Sequence, residues 1–177
     1  MLQGYAPTAA YSAERYLRMA AEEKALQAGE AAATPGSRSN EEGVPPIGAK
    51  ASMSKTVTEA DIVLFAGVTG DFNPLHVNAE YAKTTMFGQR IAHGILSVGF
   101  ISAVLANKLP GPGGVYLSQK ARFLKPVHIG DTVTATVEVI AYRPDKRIIT
   151  LKTDCFNQDG VQVLEGEAVL MLPKPRS

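Results

Sequence analysis

Two side chains that could move protons lie close together near the middle of the chain. Asp71 and His76 belong to the segment GDFNPLH at 70–76, in which Pro74 fixes its own φ and biases Asn73 away from helix. Such a preset turn can aim a carboxylate and an imidazole at one point, where they would hold a water molecule and transfer its protons. The competing interpretation is structural, because Asp after Gly often caps the next segment and Asn-Pro turns are common.

A second candidate feature is the tripeptide AHG at 92–94, which precedes a long apolar run. If that run is a helix, its first backbone N–H groups lack intrahelical partners and suit a developing oxyanion. Gly94 would let a ligand approach this backbone closely, although simple helix-to-sheet packing is an alternative reason for glycine. We interpret His93 as a buried structural or supporting histidine and His128, near Pro126, as a surface residue.

The elements that must position these residues are helices in the middle of the chain. Thr58 has the type and position of an N-cap, and Gly70 has those of a helix terminator. The last helix is apolar or small almost throughout, which is typical of a helix buried on most sides. The predicted elements are a strand over 49–57, a helix over 59–69, a short helix around 79–85 and a helix over 94–107.

The C-terminal third is patterned as strands. Apolar and polar residues alternate over 133–141 and again over 149–155, which is the period of half-buried strands. Asp159-Gly160 indicates a hairpin, and further strands are predicted over 115–124 and 161–172. One buried helix and a run of long antiparallel strands predict an α+β fold with the sheet wrapped around the helix.

Composition limits the class of protein. The 177 residues are 45% hydrophobic and 20% charged, which is typical of a globular chain with one full-sized domain. The net charge of +1 does not point to nucleic acid or an anionic membrane as partner. No stretch approaches the roughly 20 apolar residues of a transmembrane helix, and we expect no secretory signal. The single cysteine, Cys155, is interpreted as a small buried hydrophobe in a reducing, cytoplasmic compartment.

The first 46 residues differ from the rest. Apolar residues recur at helical spacing over 9–21, and the stretch 29–46 is rich in Gly, Ala, Ser, Pro and Glu without an apolar period. We therefore expect an N-terminal extension over 1–46, made of a short helix and a flexible linker, and one domain over 47–177. No Cys/His cluster in either part has metal-ligand spacing, so we expect no metal.

Two motifs in order resemble the signature of the MaoC-like hydratases, and within them the (R)-specific enoyl-CoA hydratases. They are DFNPLH at 71–76 and FGQRIAHG at 87–94, and the resemblance extends from about 47 to 173 through YLSQ at 116–119 and PVHIGD at 126–131. It implies a hotdog fold and a homodimer, with larger oligomers left open. It also implies that no metal, flavin or nicotinamide cofactor takes part.

The resemblance further implies an activity and roles for single residues. Asp71 and His76 would activate water for reversible syn addition to a trans-2-enoyl-CoA, a hydro-lyase reaction of fatty acid metabolism that supplies (R)-3-hydroxyacyl-CoA for polyhydroxyalkanoate synthesis. The backbone N–H of Gly94 would bind the thioester oxygen, while Asn73 and Ser102 would support the catalytic pair. The acyl chain would lie along the long helix, near Val98, Ile101 and Leu105.

Three alternatives stay open on the sequence. A hotdog thioesterase would attack the carbonyl carbon, and a 3-hydroxyacyl-[acyl carrier protein] dehydratase would need a basic surface for its acidic carrier. A non-catalytic module would bind acyl thioesters or mediate assembly. The basic residues that could meet a carrier or the phosphates of coenzyme A are Arg90, Lys120, Arg122 and Lys125.

Overall fold

The computed structural model describes residues 43–174. The predicted N-terminal helix and most of the predicted linker lie outside these residues. No helix within 43–174 is long and apolar enough to cross a membrane. The elements are β1 (Lys50–Thr56), α1 (Glu59–Thr69), α2 (Pro74–Val77), α3 (Ala79–Lys83), α4 (Gly94–Asn107), β2 (Val115–Phe123), β3 (Thr132–Arg143), β4 (Ile148–Phe156) and β5 (Gln162–Met171).

Five antiparallel strands form one sheet in the order β1-β3-β4-β5-β2. The long helix α4 packs against β3, β1 and β4, and buries Ile101, Val104 and Leu105 against sheet residues such as Val137 and Leu151. Burial of these side chains is the main favourable term that holds helix and sheet together. The predicted α+β class is confirmed, and the sheet wrapped around one long helix is the hotdog fold.

Helix α4 begins and ends where the apolar run predicted, but it is buried on fewer sides than expected. Ile95 is 57% exposed, and Gly99 and Ala106 are exposed as well. A single sheet covers only one face of a helix. The apolar composition of α4 therefore does not show that its other face is buried within the same chain.

Helix α1 ends directly before the segment that contains Asp71. At its start, Thr58 and Asp61 form a capping box in which each side chain bonds to the other's backbone N–H. At its end, Gly70 has a φ of 78°, the left-handed conformation that glycine adopts without strain, and its N–H donates to the Ala66 carbonyl at 2.8 Å. Both predicted ends of this helix are confirmed.

The lone cysteine is a core residue. Cys155 is fully buried on β4, and burial followed by the nearby charge of Asp154 raises the pKa of its thiol to about 12. The thiol therefore stays protonated at neutral pH, and the interpretation as a small buried hydrophobe is confirmed.

Gly166 on β5 lies so close to β2 that no side chain fits. A Cβ built at this position would be 2.1 Å from the Lys120 carbonyl oxygen, a backbone atom that cannot rotate away. We expect Gly166→Ala to lower the free energy of unfolding by about 3 kcal/mol, because strand pairing must shift to admit the methyl group. Urea denaturation measures the change.

Gly67 provides the matched control for this substitution. It lies inside α1, and apart from its chain neighbours and the backbone of its own helix no described atom is within 4 Å of the place that an added methyl group would occupy. Gly67→Ala should therefore raise the free energy of unfolding by about 0.5–1 kcal/mol, because alanine favours the helix more than glycine does. Equal stability of the two alanine variants would contradict the close approach of β2 and β5.

Candidate active site

The segment 70–76 and the segment 91–93 are joined by reciprocal hydrogen bonds. The His76 Nδ1–H donates to the Ile91 carbonyl at 2.8 Å, and the His93 Nε2–H donates to the Asp71 carbonyl at 3.0 Å. A backbone bond from the Ile91 N–H to the Leu75 carbonyl, at 3.4 Å, adds a third link. A carbonyl oxygen only accepts, so these bonds identify which ring nitrogen carries the proton in each histidine.

This arrangement defines what each imidazole can do. In its neutral form His76 keeps a lone pair on Nε2, which suits acceptance of a proton from water. The Nδ1 atom of His93 is buried and has no hydrogen-bond partner within residues 43–174. His76 is 9% exposed and His93 is 2% exposed, and their ring centroids are 4.0 Å apart. His93 is therefore a buried histidine, as expected, but it is satisfied on one nitrogen only.

His93 contributes more than core volume. It holds the backbone of Asp71 through its Nε2–H, and its ring packs between His76 and Phe65, whose centroid is 4.8 Å away. It is thus a positioning residue for both members of the predicted pair. Sequence spacing offered no sign of this, because the contact depends on the way α4 and the loop after α1 meet.

The Asp71 carboxylate is oriented by its own turn. Its Oδ1 accepts the Asn73 N–H at 3.2 Å, and the Asp71 N–H donates to the Thr69 Oγ1 at 3.3 Å. Asn73 then caps the one-turn helix α2, because its side chain accepts the Leu75 N–H at 3.0 Å. Among the described residues, these local bonds leave the second carboxylate oxygen of the exposed Asp71 available for a ligand.

The structure brings Asp71, His76 and His93 into one group. One carboxylate oxygen and one ring nitrogen from each histidine all lie within 4.8 Å of one another. Two groups up to about 5.6 Å apart can share a water molecule, since each hydrogen bond is about 2.8 Å long. The geometry therefore suits one water held between the carboxylate and an imidazole.

The same donor types also bind divalent metal ions such as zinc. Within residues 43–174, this group is the one whose ligand atoms are close enough to hold an ion. The sequence did not reveal it, because His93 is separated from the other two residues by a helix and a loop. The expectation of a metal-free protein rests on sequence spacing and stays a prediction.

A cavity of about 440 Å³ opens beside these residues. It is lined by both His76 and Gly94. Gly94 is the first residue of α4, so its N–H has no acceptor within the helix. A Cβ on Gly94 would lie 2.9 Å from Cε1 of Phe123, so this half-exposed ring would have to shift to admit a larger residue here. The cavity is lined by His76, Phe87, Ile91, Ala92, Gly94, Ile95, Ser97, Phe123, Leu124, Lys125, Pro126, Val127 and Val163.

The other predicted site residues lie on α4 but not in this cavity. Ile101 and Leu105 are fully buried in the core, and Val98 is partly buried against it. Ser102 is partly buried and makes no hydrogen bond to Asp71 within the described residues. Their roles in acyl binding and in support of the catalytic pair stay predictions.

His128 differs from its sequence interpretation. It is half-buried rather than on the surface, because its backbone forms a β-bridge with Ile91 and its Nδ1 is enclosed.

Arg90 helps to fix the local fold near the site. It forms two hydrogen bonds with the Glu59 carboxylate, at 2.9 and 2.6 Å. The Arg90 hydrogen bond lowers the pKa of Glu59, and this pair ties the segment before Ile91 to the start of α1.

Comparison with known proteins shows the family of the chain. A family model described as MaoC like domain matches residues 44–155. The (R)-specific enoyl-CoA hydratase of Rhodospirillum rubrum is 56% identical over 126 residues, which are 71% of this chain and 87% of the relative.

Solved structures of two (R)-hydratases resemble the chain. One from Pseudomonas aeruginosa, in its unliganded form, has a TM-score of 0.70 and 47% identity, covering 73% of this chain and 83% of the other. One from Aeromonas caviae, involved in polyhydroxyalkanoate biosynthesis, has a TM-score of 0.70 and 44% identity, covering 77% of this chain and 100% of the other.

Proposed function

Because the chain belongs to the MaoC-like family, we propose that it catalyses the reversible hydration of trans-2-enoyl-CoA to (R)-3-hydroxyacyl-CoA. The observation that carries this proposal is the group formed by Asp71, His76 and His93, within 4.8 Å of one another beside the cavity that contains Gly94. His76 and Gly94 line this cavity, and Asp71 lies close to His76, so a proposed acid–base pair adjoins a proposed oxyanion donor, as addition of water to an unsaturated thioester requires.

The proposed reaction needs no change of oxidation state in the protein. Asp71 and His76 hold one water; as its oxygen attacks C3, one of the two groups takes its proton. Negative charge develops on the thioester oxygen, where the Gly94 N–H and the positive end of α4 stabilise it. The proton taken from the water is then delivered from the pair to C2, so that the elements of one water are added in total and the pair returns to its starting state.

The acyl chain is proposed to run along α4 from Gly94. Val98, Ile101 and Leu105 follow at helical spacing on one stripe, so they would line a path that leads from the thioester towards the core. Asn73 would keep the loop of Asp71 in shape through its cap, and Ser102 would support the pair from α4.

The wider setting of the reaction is also part of the proposal. The Aeromonas caviae relative is described as involved in polyhydroxyalkanoate biosynthesis, which supports supply of (R)-3-hydroxyacyl-CoA to such a polymer. We place the enzyme in the cytoplasm, in keeping with a lone buried thiol. The first 46 residues are proposed to be an extension outside the catalytic domain.

A homodimer is proposed because the described chain leaves apolar surface and strand edges uncovered. Val63, Leu64 and Val68 on α1 and Phe72 beside Asp71 are exposed, and β1 and β2 are the open edges of the sheet. A second copy that covers these surfaces would also shield Asp71 from bulk water. Light scattering should return the mass of two chains; the mass of one chain at full activity would contradict the proposal.

The test of the activity is hydration of crotonyl-CoA, followed by loss of enoyl absorbance and by the chirality of the product. We expect turnover to the (R)-product and a loss of about 10²–10⁴-fold in kcat for Asp71→Asn and for His76→Gln, because each removes a positioned acid–base group. Asp145→Asn, in the exposed turn after β3, is the control that should keep full activity.

Two further readouts separate the alternatives. Absorbance loss with release of free thiol would indicate a thioesterase instead of a hydratase. Turnover of enoyl thioesters on acyl carrier protein, with none on crotonyl-CoA or a longer enoyl-CoA, would contradict the coenzyme A assignment.

A further inference from the structure

The four basic residues that could meet a phosphorylated ligand are separated by the fold. Arg90 is engaged by the Glu59 carboxylate through two hydrogen bonds, and Arg122 pairs with Glu165 at 2.5 Å. Lys120 lines a different groove, which it shares with Glu165 and Glu167. These three cations are therefore neutralised or face away from the cavity of His76 and Gly94.

Lys125 differs from the other three in position and in surroundings. It is exposed, it lines the cavity that contains His76 and Gly94, and none of the described residues lining that cavity is acidic. No ion pair of Lys125 is formed within residues 43–174. The cavity wall is otherwise mainly apolar, from Phe87, Ile95 and Val127 among others, so an anion there would meet one unneutralised ammonium group.

The backbone around Lys125 holds its side chain at this place. Its neighbour Leu124 donates an N–H to the Val163 carbonyl at 2.9 Å, and Lys125 donates its own N–H to the same carbonyl at 3.4 Å. Pro126 follows with a fixed φ, and Val127 is buried and accepts the Ala92 N–H at 2.7 Å. Lys125 thus lies on a segment anchored both to β5 and to the start of α4.

We propose that Lys125 binds the phosphate group directly attached to the pantetheine arm of the thioester substrate; this assignment rests on the proposed function. Coenzyme A and acyl carrier proteins both carry a phosphate at that point, so the recognised chemistry is common to the two sources. Lysine suits this task because its ammonium acts as a compact point charge for phosphate oxygens. The residue would contribute to substrate binding rather than to proton transfer.

Four crotonyl thioesters that are identical at the reacting carbons test this assignment. They are crotonyl-CoA, crotonyl-dephospho-CoA, crotonyl-4′-phosphopantetheine and crotonyl-pantetheine, of which the last has no phosphate. For Lys125→Gln we expect kcat/KM to fall about tenfold on the first three and to stay unchanged on crotonyl-pantetheine. Lys125→Arg should retain most of the wild-type value on all four.

Lys146→Gln is the matched control, because it also removes one positive charge. Lys146 is exposed in the turn between β3 and β4, so it lies neither on α1 nor on the edge strands β1 and β2, and it does not line the cavity of Lys125. It should leave kcat/KM unchanged on every substrate. An equal loss for Lys125→Gln on all four substrates, a loss on crotonyl-CoA alone, or no loss at all would overturn the assignment.

Calorimetric binding of coenzyme A and of pantetheine separates this assignment from the proposed reaction. Tighter binding of coenzyme A that is lost in Lys125→Gln supports the phosphate contact even if no enoyl thioester is hydrated, in which case the hydratase proposal fails alone. Equal affinity of the wild-type chain and Lys125→Gln for coenzyme A overturns the contact, whatever the turnover.

Discussion

The site depends on the exchange of hydrogen bonds between two chain segments, each of which supplies a histidine to a backbone carbonyl of the other. His76 bonds to Ile91, and His93 bonds to Asp71. Both histidines are buried, where an unpaired polar group is costly, so each bond constrains the position of the whole segment. The separation of the Asp71 carboxylate and the His76 imidazole follows from this pair of contacts.

The rest of the fold supplies fixed supports for the two segments. Helix α1, capped at Thr58 and ended by Gly70, holds the start of the loop of Asp71. Helix α4, packed against the sheet through Ile101 and Leu105, holds the segment that contains His93. The first residue of α4, Gly94, therefore lies beside His76 of the proposed acid–base pair. Burial of a long apolar helix and the placement of the proposed oxyanion donor are thus two results of one packing arrangement.

Most of the element pattern was readable from the sequence because each signal is local. The N-cap at Thr58, the glycine at 70 and the alternation in β3 and β4 depend on nearest neighbours, and the structure has these features where they were predicted. The one-turn helix α2 was missed because four residues are too few to show a helical period. The hydratase assignment required the resemblance, since Asp71 and His76 alone were equally compatible with a structural turn.

What the sequence could not provide are contacts between distant segments. The role of His93 depends on how α4 meets the loop after α1, and the half-burial of His128 depends on its bridge to Ile91. Lys125 could be distinguished from Lys120 only once the strands were placed, because both are lysines near the end of β2. Exposure of one side of α4 likewise depends on which surfaces the sheet covers.

The central claim is that Asp71 and His76 act as a unit on one water molecule. The most direct test is a double-mutant cycle in kcat on crotonyl-CoA with Asp71→Asn, His76→Gln and the variant that carries both. If the two side chains share one water, the double variant should be impaired about as much as the more impaired single variant. Losses that multiply, so that the two free-energy changes add, would contradict a shared water and assign the residues to independent tasks.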